Sequence, residues 1–155
     1  MIQKSPERIA IFPGSFDPFT AGHQSIVERG LKLFDRIIIA IGVNYAKHDA
    51  DTIASRIAPI DELYADNAGV SVVTYNDLTV DAAKRLGADF ILRGVRSVAD
   101  YEYERNMAEI NRRLSGIETV LLFSDPDLAC VSSSIVRELE SYGKDVSRFM
   151  PTKTT

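Results

Sequence analysis

The run Phe12-Pro13-Gly14-Ser15-Phe16-Asp17-Pro18-Phe19-Thr20-Ala21-Gly22-His23 gathers two hydroxyls, two glycines, two prolines and a histidine. Those residue types suit the grip of an anion. Residues 8–12 are a short apolar run of buried-strand character, and an amphipathic helix starts near His23, so the loop leads into a helix N-terminus. Free N–H groups and the positive end of the helix dipole face outward there. Gly14 and Gly22 let backbone approach a bound anion, and Ser15, Thr20 and His23 add side-chain donors. An ordinary βα turn with a capping threonine and a surface histidine would need fewer of these groups. Their concentration favours a phosphate-handling loop.

Further loops carry matching chemistry. Arg93-Gly94-Val95-Arg96 sets two guanidinium forks around a glycine directly after an apolar run, and one of the two arginines has Asp100 or Glu104 within reach as a partner. Val131-Ser132-Ser133-Ser134 opens a helix with three hydroxyls. Lys47 is a point charge that either meets a phosphate or stays solvated. This capacity exceeds the needs of one phosphate and suits a nucleoside triphosphate plus a second phosphorylated substrate, joined by in-line transfer. No Gly-x-x-x-x-Gly-Lys-Ser/Thr run is present, which disfavours a P-loop kinase, and no nucleophile-base spacing points to covalent catalysis. Cys130 reads as a packed or loop thiol and His48 as surface.

The elements that must hold these loops alternate. Apolar runs at 8–12, 37–43, 70–75, 89–92 and 118–123 read as strands. Helical patterns fall at about 23–34, 52–66 with Thr52 as cap and a kink or restart at Pro59, 80–86 ended by Gly87, 100–114 and 133–142. Five such alternations predict an α/β fold: a single-domain, Rossmann-like, doubly wound sheet of five parallel strands with helices on both faces, spanning 1–155. Ligands in such sheets sit beyond the carboxyl ends of the strands, so the loops at 13–22, 44–51, 76–79, 93–99 and 124–132 are the ones to search.

Composition narrows the rest. With 155 residues, 45% hydrophobic and 26% charged, the chain has room for one core and no sign of disorder. A net charge of −4 argues against nucleic acid as partner, and the run at 37–43 is too short to span a membrane. One cysteine excludes an internal disulfide and, with no signal-peptide pattern, points to the cytoplasm.

The opening motif, with Gly14-Ser15-Phe16-Asp17-Pro18 followed by Thr20-Ala21-Gly22-His23, resembles the signature of nucleotidyltransferases with a His/Thr-x-Gly-His motif. Lys47, the run from Arg93 to Glu104 and Val131-Ser132-Ser133-Ser134 extend the likeness over nearly the whole chain, and the bacterial phosphopantetheine adenylyltransferases are the family it resembles. The resemblance implies transfer of AMP from Mg-ATP to 4'-phosphopantetheine, giving dephospho-coenzyme A and pyrophosphate, in a homohexamer. It implies that His23 is catalytic without a covalent intermediate. ATP would be held by Ser15, Phe16, His23, Gly94, Val95, Arg96, Glu104, Leu128, Ala129, Cys130, Val131, Ser132, Ser133 and Ser134. Phosphopantetheine would be held by Ser15, Lys47, Thr79, Arg93, Met107, Ile110 and Asn111. Mg²⁺ would arrive with ATP as substrate, with no metal site on the protein.

Three departures from the family pattern stand out. Ser15 replaces the usual threonine and keeps its hydroxyl, His48-Asp49-Ala50-Asp51 replaces a stretch that usually holds proline and an aromatic residue, and the chain reaches Thr155 soon after Pro151, where many relatives add a helical tail. Two other readings stay open on the sequence alone. One is a sister enzyme, such as a nicotinamide mononucleotide adenylyltransferase or a glycerol-phosphate cytidylyltransferase; the other is an idle nucleotide or coenzyme A sensor on the same fold.

Overall fold

The computed structural model describes residues 3–154. The apolar runs form five parallel strands, β1 (Ile9–Gly14), β2 (Arg36–Gly42), β3 (Val70–Tyr75), β4 (Phe90–Val95) and β5 (Glu118–Phe123), in the spatial order β3-β2-β1-β4-β5. The intervening helices are α1 (Ala21–Gly30), α2 (Ala50–Leu63), α3 (Thr79–Arg85) and α4 (Val98–Ser115), and α5 (Ser133–Ser141) follows β5. This is the doubly wound α/β architecture that the alternation of patterns predicts.

Side chains alternate across the sheet with period two, and that parity decides which helix each residue meets. Ala10, Phe12, Ile37, Ile39, Ile41 and Leu92 pack with Ile26 and Val27 of α1 and Ile60 of α2 in one buried cluster. Ile11, Ala40 and Ile91 face the other way, onto Val80, Ala82 and Ala83 of α3. Both faces are therefore covered, and the central strands read as continuous apolar runs because neither face is wet.

The chain leaves β1 outward to β2 and β3, then returns to lay β4 against the other side of β1. β1 stays in register with β2 up to Gly14↔Ile41, but with β4 it pairs only at Ala10↔Phe90 and Ile11↔Ile91. Beyond Ile11 and Ile91 the two strands part. The crevice this opens, at the reversal of strand order, is where such sheets bind ligands.

Two local expectations are corrected. Thr52 does not cap α2: Asp49 does, with extended backbone (φ −79°, ψ 171°) and its carboxylate accepting from the Thr52 N–H at 2.7 Å. That bond holds the Asp49 carboxyl below its ordinary range. The helix accordingly begins at Ala50 and ends at Leu63, and it runs through Pro59 as one element. The aspartates at 49 and 51 thus serve a helix start, where negative charge is favoured. The second correction is that β4 does not end at Leu92. It continues to Val95, with Arg93 opposite Leu121 and Gly94 opposite Leu122 of β5, so Arg93 projects from a strand end rather than a loop.

Candidate active site

Thr20 and His23 build the start of α1 together. His23 N–H donates to Thr20 Oγ1 at 3.4 Å, and Thr20 N–H donates to His23 Nδ1 at 2.9 Å, a reciprocal capping arrangement in which histidine takes the place usually held by Glu or Gln. Because Nδ1 accepts, the ring proton belongs on Nε2. Phe12, Phe16 and Phe19 surround the imidazole with ring centroids at 6.3, 5.0 and 5.3 Å. Burial pushes the imidazole pKa down to about 4, with the guanidinium groups of Arg96 and Arg93 adding to the effect. At neutral pH His23 is therefore an uncharged residue with Nε2–H as its free donor, on the wall of the crevice.

This has a consequence for acid stability, because a histidine unfolds to an ordinary pKa near 6.5. Between there and about 4 the unfolded chain binds a proton that the folded chain refuses, so stability falls as pH falls through that window. By pH 5 the loss is about 2 kcal/mol. Urea unfolding at pH 7 and pH 5 should show His23→Gln losing less stability over that interval than the parent chain by about this amount. Equal losses in the two proteins would refute the neutral imidazole.

The loop between β1 and α1 is held by its carbonyl groups. Arg93 Nη1 donates to Pro13 O (2.6 Å), Arg56 Nη1 to Ser15 O (3.3 Å), Arg137 Nη1 to Asp17 O and Ser133 Oγ to Pro18 O (2.7 Å). Phe16, at the centre, takes a left-handed φ of 47°, which costs a non-glycine residue energy that these anchors offset. With the acceptors drawn into the protein, the N–H groups of Ser15 and Phe16 donate to nothing among the described residues. Gly14 is needed for the same turn, since a Cβ there would sit 2.9 Å from the Phe16 ring.

A cavity of about 340 Å³ fills the crevice. Of the residues expected to hold nucleotide, Ser15, Phe16, His23, Gly94, Arg96, Glu104, Leu128, Val131, Ser132, Ser133 and Ser134 line it. Val95 is buried instead, while Ala129 and the exposed thiol of Cys130 stand off its wall. A second cavity of about 210 Å³ lies on the α3/α4 side of the sheet, lined by Thr79, Arg93, Met107 and Asn111 together with Tyr75, Tyr103 and Thr119. Parity explains the division: Arg93 shares the face of Ile91, whereas Gly94 faces α1, where a Cβ would lie 3.1 Å from Ile26. The two cavities share Pro13, Gly14, Arg93 and Glu104 as walls. Lys47 and Ile110 are exposed and line neither cavity.

Charge in the crevice is mostly paired. Arg93 makes a fork on Glu104 through Nε (3.1 and 3.0 Å) and Nη2 (2.6 Å), which leaves a further N–H on each Nη nitrogen. Arg96 meets Asp100 at 3.3 Å and donates to Val131 O. Each arginine has thus found one of the two acids that the sequence offered.

Some residues of the site escaped the sequence reading. Arg137 lines the larger cavity one helical turn past the serines, a position that an i, i+3 reading of α5 would have reached. Arg56, buried to 7% exposure beneath Ser15, and Thr119, whose hydroxyl lacks a partner among the described residues, carry no sequence signal beyond their element patterns.

Comparison with known proteins agrees with this geometry. The family model described as Cytidylyltransferase-like matches residues 11–139. A phosphopantetheine adenylyltransferase of Bacteroides thetaiotaomicron is 55% identical over 144 residues, 93% of this chain and 95% of the relative. The enzyme of the same name from Bacteroides fragilis is 51% identical over 93% of this chain and 96% of its own. Among solved structures, a bifunctional NMN adenylyltransferase/ADP ribose pyrophosphatase from Francisella tularensis superposes with a TM-score of 0.70 at 15% identity, over 96% of this chain and 46% of that one, a likeness of fold.

Proposed function

The chain belongs to the phosphopantetheine adenylyltransferase family of cytidylyltransferase-like nucleotidyltransferases, and from that premise we propose that its two adjoining cavities carry AMP from Mg-ATP to 4'-phosphopantetheine. The observation that carries the reading is the shared wall: a polar crevice at a helix start and a separate, partly apolar cavity meet at Pro13, Gly14, Arg93 and Glu104. One holds the nucleotide and the other the acceptor.

In this reading the start of α5 and the N–H groups of Ser15 and Phe16 receive the triphosphate, with Arg96 beside them and Glu104 fixing Arg93. Gly94, Val95 and residues 128–131 shape the nucleotide side. Thr79, Arg93, Met107 and Asn111 receive the acceptor, while Lys47 and Ile110 reach it only at its exposed end. A terminal phosphate oxygen of phosphopantetheine attacks the α-phosphorus; the new P–O bond forms as the α–β bridge breaks, and pyrophosphate leaves with the electron pair. The attacking oxygen is already an anion, so no general base is required. A histidine held neutral down to about pH 4 is a poor base but a sound donor, and His23 Nε2–H donates to the α-phosphate as its charge develops.

Among the described residues no group of three or more His, Cys, Asp or Glu side chains could hold a metal ion. In this proposal Mg²⁺ enters as the ATP complex, with phosphate oxygens and water as its ligands. Assembly as a homohexamer and residence in the cytoplasm belong to the same proposal. Exposed Leu78, Val98, Leu114, Phe123 and Tyr142 supply apolar surface for subunit contacts, and no described helix is long and apolar enough to cross a membrane.

The test is an acceptor panel. With Mg-ATP, pyrophosphate should appear with 4'-phosphopantetheine and not with nicotinamide mononucleotide or glycerol 3-phosphate, and the product should have the mass of dephospho-coenzyme A. Release with another acceptor only would move the chain to a sister activity, and release with none would leave a nucleotide-binding protein without this reaction.

A further inference from the structure

Two hydroxyls on the wall of the smaller cavity are bonded to each other. Tyr75, the last residue of β3, and Thr79, the first of α3, hold Oη and Oγ1 3.1 Å apart, and neither oxygen has another hydrogen-bond partner among the described residues. Both residues are half-buried. One O–H proton makes the bond between them, and the other is left for a ligand.

The phenol points toward the place where the two cavities meet. Tyr75 stands opposite Gly42 of β2 and its ring lies over that glycine, where a Cβ would be 3.7 Å from Tyr75 Oη and 3.8 Å from Gly14 O. Gly14 belongs to the wall that both cavities share, whereas Tyr75 and Thr79 line the smaller one alone. In the proposed reaction the attacking oxygen is part of the acceptor's phosphate and must meet the nucleotide at that wall. The phosphate is thus the acceptor group that comes nearest to Tyr75 Oη. Arg93 supplies charge there, but Lys47 lines neither cavity and Ser15 lines only the nucleotide cavity, so the phosphate oxygens have room for a further donor.

Resting on the proposed reaction, we infer that Tyr75 is a binding residue for the acceptor's phosphate, its hydroxyl donating to a phosphate oxygen while Thr79 Oγ1 donates to Tyr75 Oη. Chemistry sets this direction. A phenol, with an ordinary pKa of about 10, is far more acidic than an alcohol and is the better donor to an anion. Two hydrogen bonds running the same way also polarise each other, so Thr79 strengthens the contact that Tyr75 makes. Phenylalanine at position 75 would fill the same space without the donor.

The experiment is steady-state kinetics of the full chain with Mg-ATP and 4'-phosphopantetheine for the parent, Tyr75→Phe, Thr79→Val and the double variant, with inhibition by pantetheine, which lacks the phosphate, measured on each. Loss of a hydrogen bond to a charged group should raise the acceptor KM of Tyr75→Phe roughly 10-fold or more, with the ATP KM within about two-fold. Thr79→Val should cause a smaller rise, and the double variant should resemble Tyr75→Phe, because the two hydroxyls act as one unit. Pantetheine should act alike on the parent and Tyr75→Phe. An unchanged acceptor KM would show that the phenol makes no contact, a rise shared equally by ATP would show that it only supports the wall, and weaker inhibition by pantetheine in Tyr75→Phe would move the contact from the phosphate to the arm; each overturns the inference while leaving the reaction standing. A parent protein that releases no pyrophosphate with this acceptor would overturn the proposed reaction itself, and this inference with it.

Discussion

His23→Ala should turn over roughly 10²- to 10³-fold more slowly than the parent, the usual consequence of removing one preorganised donor from a developing oxyanion. The apparent KM for ATP should change far less, because the serines at the start of α5, Arg96 and the loop amides remain. Two structural features make the size of this effect credible. The imidazole is fixed by the Thr20 N–H on Nδ1 and by three phenylalanine rings, so its Nε2–H is aimed before substrate arrives. The same rings shield part of it from water, which strengthens its hydrogen bond to charge. Removal also takes away half of the capping arrangement at the start of α1, at a cost of about 1 kcal/mol in stability. Thermal melts must therefore accompany the kinetics. A folded His23→Ala chain with near-parent turnover would eliminate the donor role.

Glu104→Ala should damage both stability and binding. Glu104 is 7% exposed and takes three hydrogen bonds from Arg93, whose side chain retains 32% exposure. Breaking a fully buried pair costs roughly 3–5 kcal/mol because the surviving charge is left alone. The exposure of Arg93 lets water recover part of that, so a loss of about 2–3 kcal/mol is expected. Arg93 also anchors Pro13 O and stands in the wall between the two cavities, so KM values for ATP and acceptor should rise together. Urea titration with paired kinetics reads both effects. Undiminished stability would mean that Arg93 finds another partner, and a change confined to one KM would place Glu104 on one side of the wall only.

How much of the chain was legible in the sequence depends on the kind of residue. The central strands were legible because burial on both faces leaves unbroken apolar runs, and the less buried edge strands β3 and β5 also begin and end where their patterns do. The β1 loop was legible because glycine, proline and hydroxyl residues crowd together only where backbone must bend around something. The end of β4 was not, since Arg93-Gly94 reads as polar loop until β5 is known to pair with it. Capping misled at Thr52 because Asp49 offers the same chemistry one turn earlier, and local sequence does not decide between two competent caps. Arg137 and Arg56 were missed for a different reason. Each reaches across to a loop distant in sequence to hold a carbonyl group, and such tertiary bonds leave no trace in residue spacing beyond the single turn that separates Arg137 from Ser134.

The proposed catalysis is a single direct displacement at the α-phosphorus, with acceptor entering from the α3/α4 side and pyrophosphate leaving toward α5. Its most direct test is the stereochemistry of transfer from ATP made chiral at the α-phosphorus by sulfur and oxygen-isotope substitution, with 4'-phosphopantetheine as acceptor. One in-line attack inverts the configuration, and inversion is the predicted result. Retention would require two displacements through a covalent nucleotidyl-enzyme, and would contradict the role of His23 as an uncharged, non-nucleophilic donor.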